Sequence, residues 1–187
     1  MRSLPRELRI LLLASGLFAL GNSSDSFLIL RSRRVGLDLS MVILAYVAYN
    51  LVYSIGSIPA GRLADRFGAR RVYIAGVVVY AAVYIGFALN RSFIGVWILF
   101  IFYGAYIAMT DSVSRALVGA FIADKGIAAT VYGLLQTIIS VGLVLASVIG
   151  GALWTFVGSW ATFAFAAMCA VLALIVFVFA GARDRAH

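Results

Sequence analysis

Histidine and cysteine occur once each in this chain, and charged residues make up 12% of it where soluble proteins carry about 25%. His187 alone cannot build a zinc site, and Cys169, set inside an apolar run, has no partner for an intrachain disulfide or a thiolate cluster. No metal and no cofactor is implied. No nucleotide-binding glycine loop and no paired serine and lysine stand out, so an enzyme is not expected, nor any ATP-driven machine. Acidic residues are scarce, 7 against 15 basic, giving a net charge of +8. Nucleic acid is nonetheless not the expected partner, because the basic residues sit at the ends of apolar runs and not on one patch with interleaved aromatics.

What the chain has in abundance is apolar side chains, 64% of 187 residues. A hydrocarbon core of roughly 30 Å takes about 20 helical residues per crossing, so six crossings use most of the chain and leave short loops. Apolar stretches fall at about 10 to 30, 41 to 60, 72 to 89, 93 to 113, 131 to 153 and 161 to 180. The expected fold is an all-α membrane protein, a single six-helix bundle over residues 1–187 with the lipid bilayer as its solvent. Placing the N-terminus inside puts Arg2, Arg6, Arg9, Arg62, Arg66, Arg70, Arg71, Arg115, Lys125, Arg183 and Arg185 on the inner side and only Arg31, Arg33, Arg34 and Arg91 in outer loops. That asymmetry predicts both termini in the cytoplasm and the cell inner (plasma) membrane as the location. The Arg31, Arg33, Arg34 cluster runs against the rule. For the first segment the rival is a signal peptide, since a basic start, an apolar run and small residues at Ala19 and Gly21 imitate its three parts.

Sliding the chain on itself by ninety residues places Ser40 on Thr130, Ser57 on Ser147, Gly61 on Gly151, Leu63 on Leu153 and Gly68 on Gly158. Ser40 and Thr130 stand where an N-cap hydroxyl belongs. Three helices per copy is an odd number, so this register predicts a 3+3 inverted repeat, about 1–89 and 91–180. The loop from Gly61 to Arg71 is charged and its counterpart from Gly151 to Ala161 carries no charge, as opposite sides of a membrane favour. Coincidence between two glycine-rich apolar segments is the competing explanation.

Gly61-Arg-Leu-Ala-Asp-Arg-Phe-Gly-Ala-Arg-Arg71 reads as G-x-L-A-D-R-x-G-x-R-R. It resembles the cytoplasmic signature loop of the major facilitator superfamily, departing from it at Ala69, where a basic residue is usual. Its glycines allow a tight turn, and Asp65 is suited to a helix N-terminus. The resemblance assigns Gly61, Asp65, Arg66, Gly68, Arg70 and Arg71 to the signature loop; Asp111 and Arg115, one helical turn apart near the cytoplasmic face, join its gating as a local salt bridge or as members of a relay with Arg66 or Arg70.

Members of that superfamily usually have two six-helix bundles with the substrate path between them. Leu-Pro-Arg-Glu-Leu-Arg9 followed by Phe18-Ala-Leu-Gly-Asn-Ser-Ser-Asp-Ser-Phe27 resembles the linker and seventh helix of a bacterial subgroup, so this bundle resembles the C-terminal half. The resemblance implies a second copy (a homodimer), a separately encoded six-helix half, or a fragment of a longer transporter. Gly56, Ala60, Gly142, Ala146 and Gly150 supply small-residue spacing on the second and fifth helices for bundle pairing; the same residues would equally pack helices within one bundle.

Polar residues within apolar segments mark a substrate or ion path. Asp25, with Asn22 and its serine neighbours, costs roughly 2.5–3.5 kcal/mol at mid-membrane unless wet or partnered. It is expected to carry a proton or cation, or else to pair with Arg31 or bond within a helix kink. Tyr46, Tyr49, Asn50 and Tyr53 share one helical face, as do Tyr132, Gln136 and Ser140, and an interfacial aromatic belt is the other reading of the tyrosines; Tyr106 and Thr110 belong to the fourth helix. Together with these residues, the resemblance implies a membrane transporter half moving a small organic solute by alternating access, as a dimer of bundles and proton-coupled. A non-transporting scaffold or receptor on the same fold is the alternative.

Overall fold

The computed structural model describes residues 6–121 and 128–182. Among them the chain forms helices α1 (Arg6–Gly21), α2 (Ser26–Val35), α3 (Leu39–Phe67), α4 (Ala69–Leu89), α5 (Phe93–Phe121), α6 (Ala128–Phe156) and α7 (Ser159–Ala182). Six spans among these residues are long and apolar enough to cross a membrane, because α1 and α2 together make one crossing, Leu8–Val35. Arg2, Lys125, Arg183, Arg185 and His187 lie outside the described residues, as does the side chain of Arg115.

The first crossing departs from the continuous segment expected at 10 to 30. Four successive short polar side chains, Asn22 to Asp25, compete for backbone hydrogen bonds and favour turns over helix interior. Here the Asn22 amide closes α1 on the Phe18 carbonyl at 3.1 Å, and the Ser24 hydroxyl accepts from the Ser26 amide at 3.3 Å as α2 begins. The crossing then runs on through Arg31, Arg33 and Arg34, which lie in α2 and not in a loop.

The N-cap of α3 is Asp38, whose carboxylate accepts from the Met41 amide at 2.7 Å. Ser40 is thus already inside the helix, as Thr130 is inside α6, and neither is a cap. The segment read as a signature loop is helical through Phe67; only Gly68 leaves the helix, at φ +93°, a conformation open to glycine. α3 therefore spans 29 residues, about 43 Å at 1.5 Å per residue, and carries its charged end beyond the hydrocarbon. Gly158, between α6 and α7, also takes a positive φ, +134°. Ser57 and Ser147 also match, each donating to the carbonyl four residues back, Tyr53 at 2.7 Å and Leu143 at 2.9 Å.

Packing runs in a row: α3 lies on α5, α5 on α4, α4 on α7, α7 on α1 and α1 on α6. The middle of the row is held by an aromatic core in which Tyr80 stacks on Tyr84 at 4.1 Å between centroids and Phe87 stacks on Phe163 at 5.8 Å. Offset and edge-on ring pairs of this kind add about 0.5–1.5 kcal/mol each beyond the area they bury. The row leaves α3 and α6 at its ends. Only 17% of the apolar window of each is buried, against 50% for α4, so both present a long open apolar face.

Candidate functional site

The break between α1 and α2 faces α5. A cavity of about 470 Å³ lies there, lined from α1 and the break by Ser15, Phe18, Asn22, Ser23 and Asp25. α5 adds Tyr103, Tyr106, Thr110, Asp111 and Ser114, and α6 closes one side with Leu135, Ile139, Leu143 and Ser147. The volume falls in the range of about 300–1,000 Å³ usual for small-molecule sites.

Asp25 sits at the mouth of the break. Tyr49 of α3 donates to one carboxylate oxygen at 2.9 Å, and Tyr103 of α5 donates to the other at 2.5 Å. Hydrogen bonds to a charged group return about 1.5–3 kcal/mol each, so two of them offset the roughly 2.5–3.5 kcal/mol cost of an aspartate in the membrane. Tyr46 meets Tyr49 edge-on at 4.7 Å and holds its ring in place. One turn further along, Tyr53 donates to Asp111 at 3.0 Å. Two carboxylates on one cavity are thus each held by a tyrosine of α3. Among the described lining residues none is basic. The buried Ser23 hydroxyl lines the same space.

The expected path residues divide. Asn22, Asp25, Tyr106 and Thr110 line the cavity, Asp111 joins them, and Tyr49 and Tyr53 support the carboxylates. Asn50 does not share their orientation: it is exposed, and its amide bonds back to the Tyr46 carbonyl at 2.8 Å. Tyr132, Gln136 and Ser140 stand on the exposed face of α6, away from the lining residues of that helix. Arg31 is engaged elsewhere, its guanidinium donating to the carbonyls of Phe87 at 2.9 Å and Asn90 at 3.0 Å, so the alternative of an Asp25–Arg31 pair is not what forms.

Of the signature residues, Gly61 is helical with nothing within 4 Å of where a Cβ would sit. Asp65 is exposed in the last turn of α3, and Gly68 is the N-cap residue of α4, which begins at Ala69. Arg70 reaches across to α7, donating to the Phe177 carbonyl at 2.9 Å and lying 5.2 Å from its ring centre. Arg66 lies over the Phe67 ring at 5.2 Å, and Arg71 is exposed. The five small residues expected to pair bundles pack within this one. A Cβ on Gly56 would meet Ala108, one on Gly142 would meet Ala19 at 2.6 Å, and one on Gly150 would meet Thr162 and Phe27; Ala60 and Ala146 are buried.

Sequence reasoning placed Ser23 beside Asp25 and Ser147 in the repeat, but missed Tyr103, Ser15 and Tyr73 as lining residues. For Tyr103 the signal was present, since Tyr103, Tyr106 and Thr110 follow i, i+3, i+7 spacing on one face.

Apolar helices folded around a solute-sized cavity that carries carboxylate and hydroxyl groups define a multi-pass membrane protein. The Major Facilitator Superfamily model matches residues 11–187, and the chain belongs to that superfamily. It is 33% identical over 184 residues to an uncharacterized MFS-type transporter of Methanocaldococcus jannaschii, a match covering 95% of this chain and 46% of that protein. Its fold is similar to the crystal structure of an auto-inhibited POT family peptide transporter, with a TM-score of 0.71 at 19% identity over 96% of this chain and 38% of that one. The chain spans less than half the length of both relatives.

Proposed function

We propose that this bundle is one half of a secondary transporter that moves a small organic cation by alternating access, with Asp25 exchanging a proton for the substrate. The observation that carries this reading is the cavity with Asp25 at a helix break, its carboxylate held between Tyr49 and Tyr103. A cation is favoured there by charge, and the rings of Phe18, Tyr103 and Tyr106 offer it aromatic faces. Broken membrane helices place polar groups at mid-membrane in transporters, where the freed backbone lines a site and not lipid.

Asp25 also joins moving parts. As a carboxylate it holds Tyr49 of α3 and Tyr103 of α5 by charge-assisted bonds, which are roughly twice as strong as neutral ones. A proton taken from one side weakens both ties and releases the α1–α2 break from the α3–α5 pair. Substrate cation and proton then compete for one carboxylate, which makes the exchange obligatory.

The open faces of α3 and α6 are where a second six-helix bundle docks, and a second copy of this chain is the partner this reading selects. A two-fold axis along the membrane normal sets α3 of one copy against α6 of the other, an isologous arrangement. The match of Gly68 with Gly158 and of Ser57 with Ser147 supports the 3+3 inverted repeat that such rocking uses. The bundle lies in the plasma membrane with both termini cytoplasmic.

Two measurements test this. In proteoliposomes an imposed pH gradient should drive accumulation of a fluorescent organic cation and leave an organic anion of equal size unmoved. Accumulation of the anion alone would overturn the substrate class, and no flux of either would overturn transport by this chain. Cysteines at Leu51 of α3 and Val144 of α6, 58% and 65% exposed, should cross-link between copies in lipid. A chain that stays monomeric there refutes the homodimer and assigns docking to a different six-helix half.

A further inference from the structure

The arginines that run against the positive-inside rule converge. Arg31 and Arg34 of α2 and Arg91 of the α4–α5 connection line a second cavity of about 730 Å³, at the end of the bundle where α4 stops and α7 starts. No acidic residue is among its described lining side chains. Arg34 and Arg91 both act on Arg31 electrostatically, so three like charges are gathered with no counter-ion among the described lining residues.

Their positions are built. Arg31 is pinned by the end of α4, donating to the carbonyls of Phe87 at 2.9 Å, Ala88 at 3.2 Å and Asn90 at 3.0 Å. These are among the carbonyls a helix C-terminus leaves unpaired, and a cation there also meets the negative end of the helix dipole. Arg34 is placed by Trp154, with its guanidinium 4.6 Å from the ring centre. Arg33, on the same helix, is exposed and does not line the cavity.

Below the charges the cavity is apolar. Ile85 and Leu89 of α4 form one wall, and Trp160 and Ala164 of α7 form the other, each pair one turn apart on its helix. Ile85, Leu89 and Trp160 are 48%, 74% and 57% exposed, so this groove faces outward from the bundle. A basic head over a two-helix apolar groove at the end of membrane helices matches one ligand chemistry: a phosphate-bearing head on an acyl chain. Tryptophan at that level fits the membrane interface.

We propose that Arg31, Arg34, Arg91 and the groove between α4 and α7 form a binding site for an anionic phospholipid, the phosphate on the arginines and one acyl chain along Ile85, Leu89 and Trp160. Basic pockets between membrane helices hold anionic headgroups through such contacts. The lipid neutralises the cluster and braces the ends of α2, α4 and α7 together. The site is separate from the polar cavity at Asp25 and does not depend on the transport reading.

The test is thermal unfolding of the full chain in mild detergent with phosphatidylglycerol, phosphatidylcholine of the same acyl chains, or inorganic phosphate added. Phosphatidylglycerol is expected to raise the midpoint by several degrees, and the other two to leave it unmoved. Arg34→Gln with Arg91→Gln should lose at least half of that rise, while Arg33→Gln keeps all of it. Should the double variant fail to fold, Arg91→Gln alone, in an exposed connection, gives the same comparison. An equal rise with phosphatidylcholine, an equal rise with phosphate alone, or a full rise in the arginine variants overturns the proposal.

Discussion

Replacing Asp25 by asparagine is expected to reduce uptake driven by a pH gradient at least tenfold while leaving the bundle folded. The amide keeps the shape of the carboxylate: one tyrosine hydroxyl still donates to its oxygen, and the other turns to accept from its nitrogen, so the neighbours at 2.9 Å and 2.5 Å stay in place. What disappears is the charge. Tenfold corresponds to about 1.4 kcal/mol, well below the roughly 4 kcal/mol that unit charges 4 Å apart exchange at an effective dielectric of about 20. The measurement is paired, with uptake in proteoliposomes beside thermal unfolding of the same preparation. A variant that melts like the parent and still accumulates cation with the gradient would remove Asp25 from coupling. Tyr103→Phe separates charge from tether: it keeps the carboxylate and drops one tie to α5, so cation binding should persist while the rate of exchange changes.

The membrane helices could be read from the chain because twenty apolar residues per crossing leave little else to form. Their ends could not, because Arg62, Asp65 and Arg66 look like a loop by polarity yet continue α3 past the hydrocarbon, where charge costs a helix nothing. Asp25 stood out by type, as an acid within an apolar run surrounded by serines. Its partners did not, since Tyr49 and Tyr103 lie 24 and 78 residues away and meet it only when α3 and α5 fold against the break. Helical periodicity placed Tyr46, Tyr49, Asn50 and Tyr53 on one stripe, but four residues at that spacing span a wider arc than the cavity accepts. Tyr49 and Tyr53 turn inward, and Asn50 falls on the open side. The small residues of α3 and α6 mark close helix approach in either use, and spacing alone does not say which neighbour approaches. For Gly142 it is Ala19 of α1, within the same bundle.

Two glycine substitutions should move stability in opposite directions. At Gly104 of α5 an added Cβ would run into the carbonyl oxygen of Tyr49 and meet the Val52 Cβ at 3.0 Å. Backbone cannot swing aside as a side-chain end can, so Gly104→Ala forces α3 and α5 apart at the level where Tyr49 and Tyr103 grip Asp25. Overpacking of this kind costs about 1–3 kcal/mol, and the unfolding midpoint should fall clearly, with cation binding weakened alongside it. At Gly61, the first glycine of the signature motif, nothing lies within 4 Å of the added atom. Alanine is favoured over glycine in a helix interior by about 0.8–1 kcal/mol, so Gly61→Ala should melt at or above the parent temperature. A Gly104→Ala protein as stable as the parent would show that α3 and α5 do not cross so closely. If Gly61→Ala folds well but its flux falls, the motif glycine serves the apposed bundle or the change of state, because the resting fold of this bundle makes no use of its missing side chain.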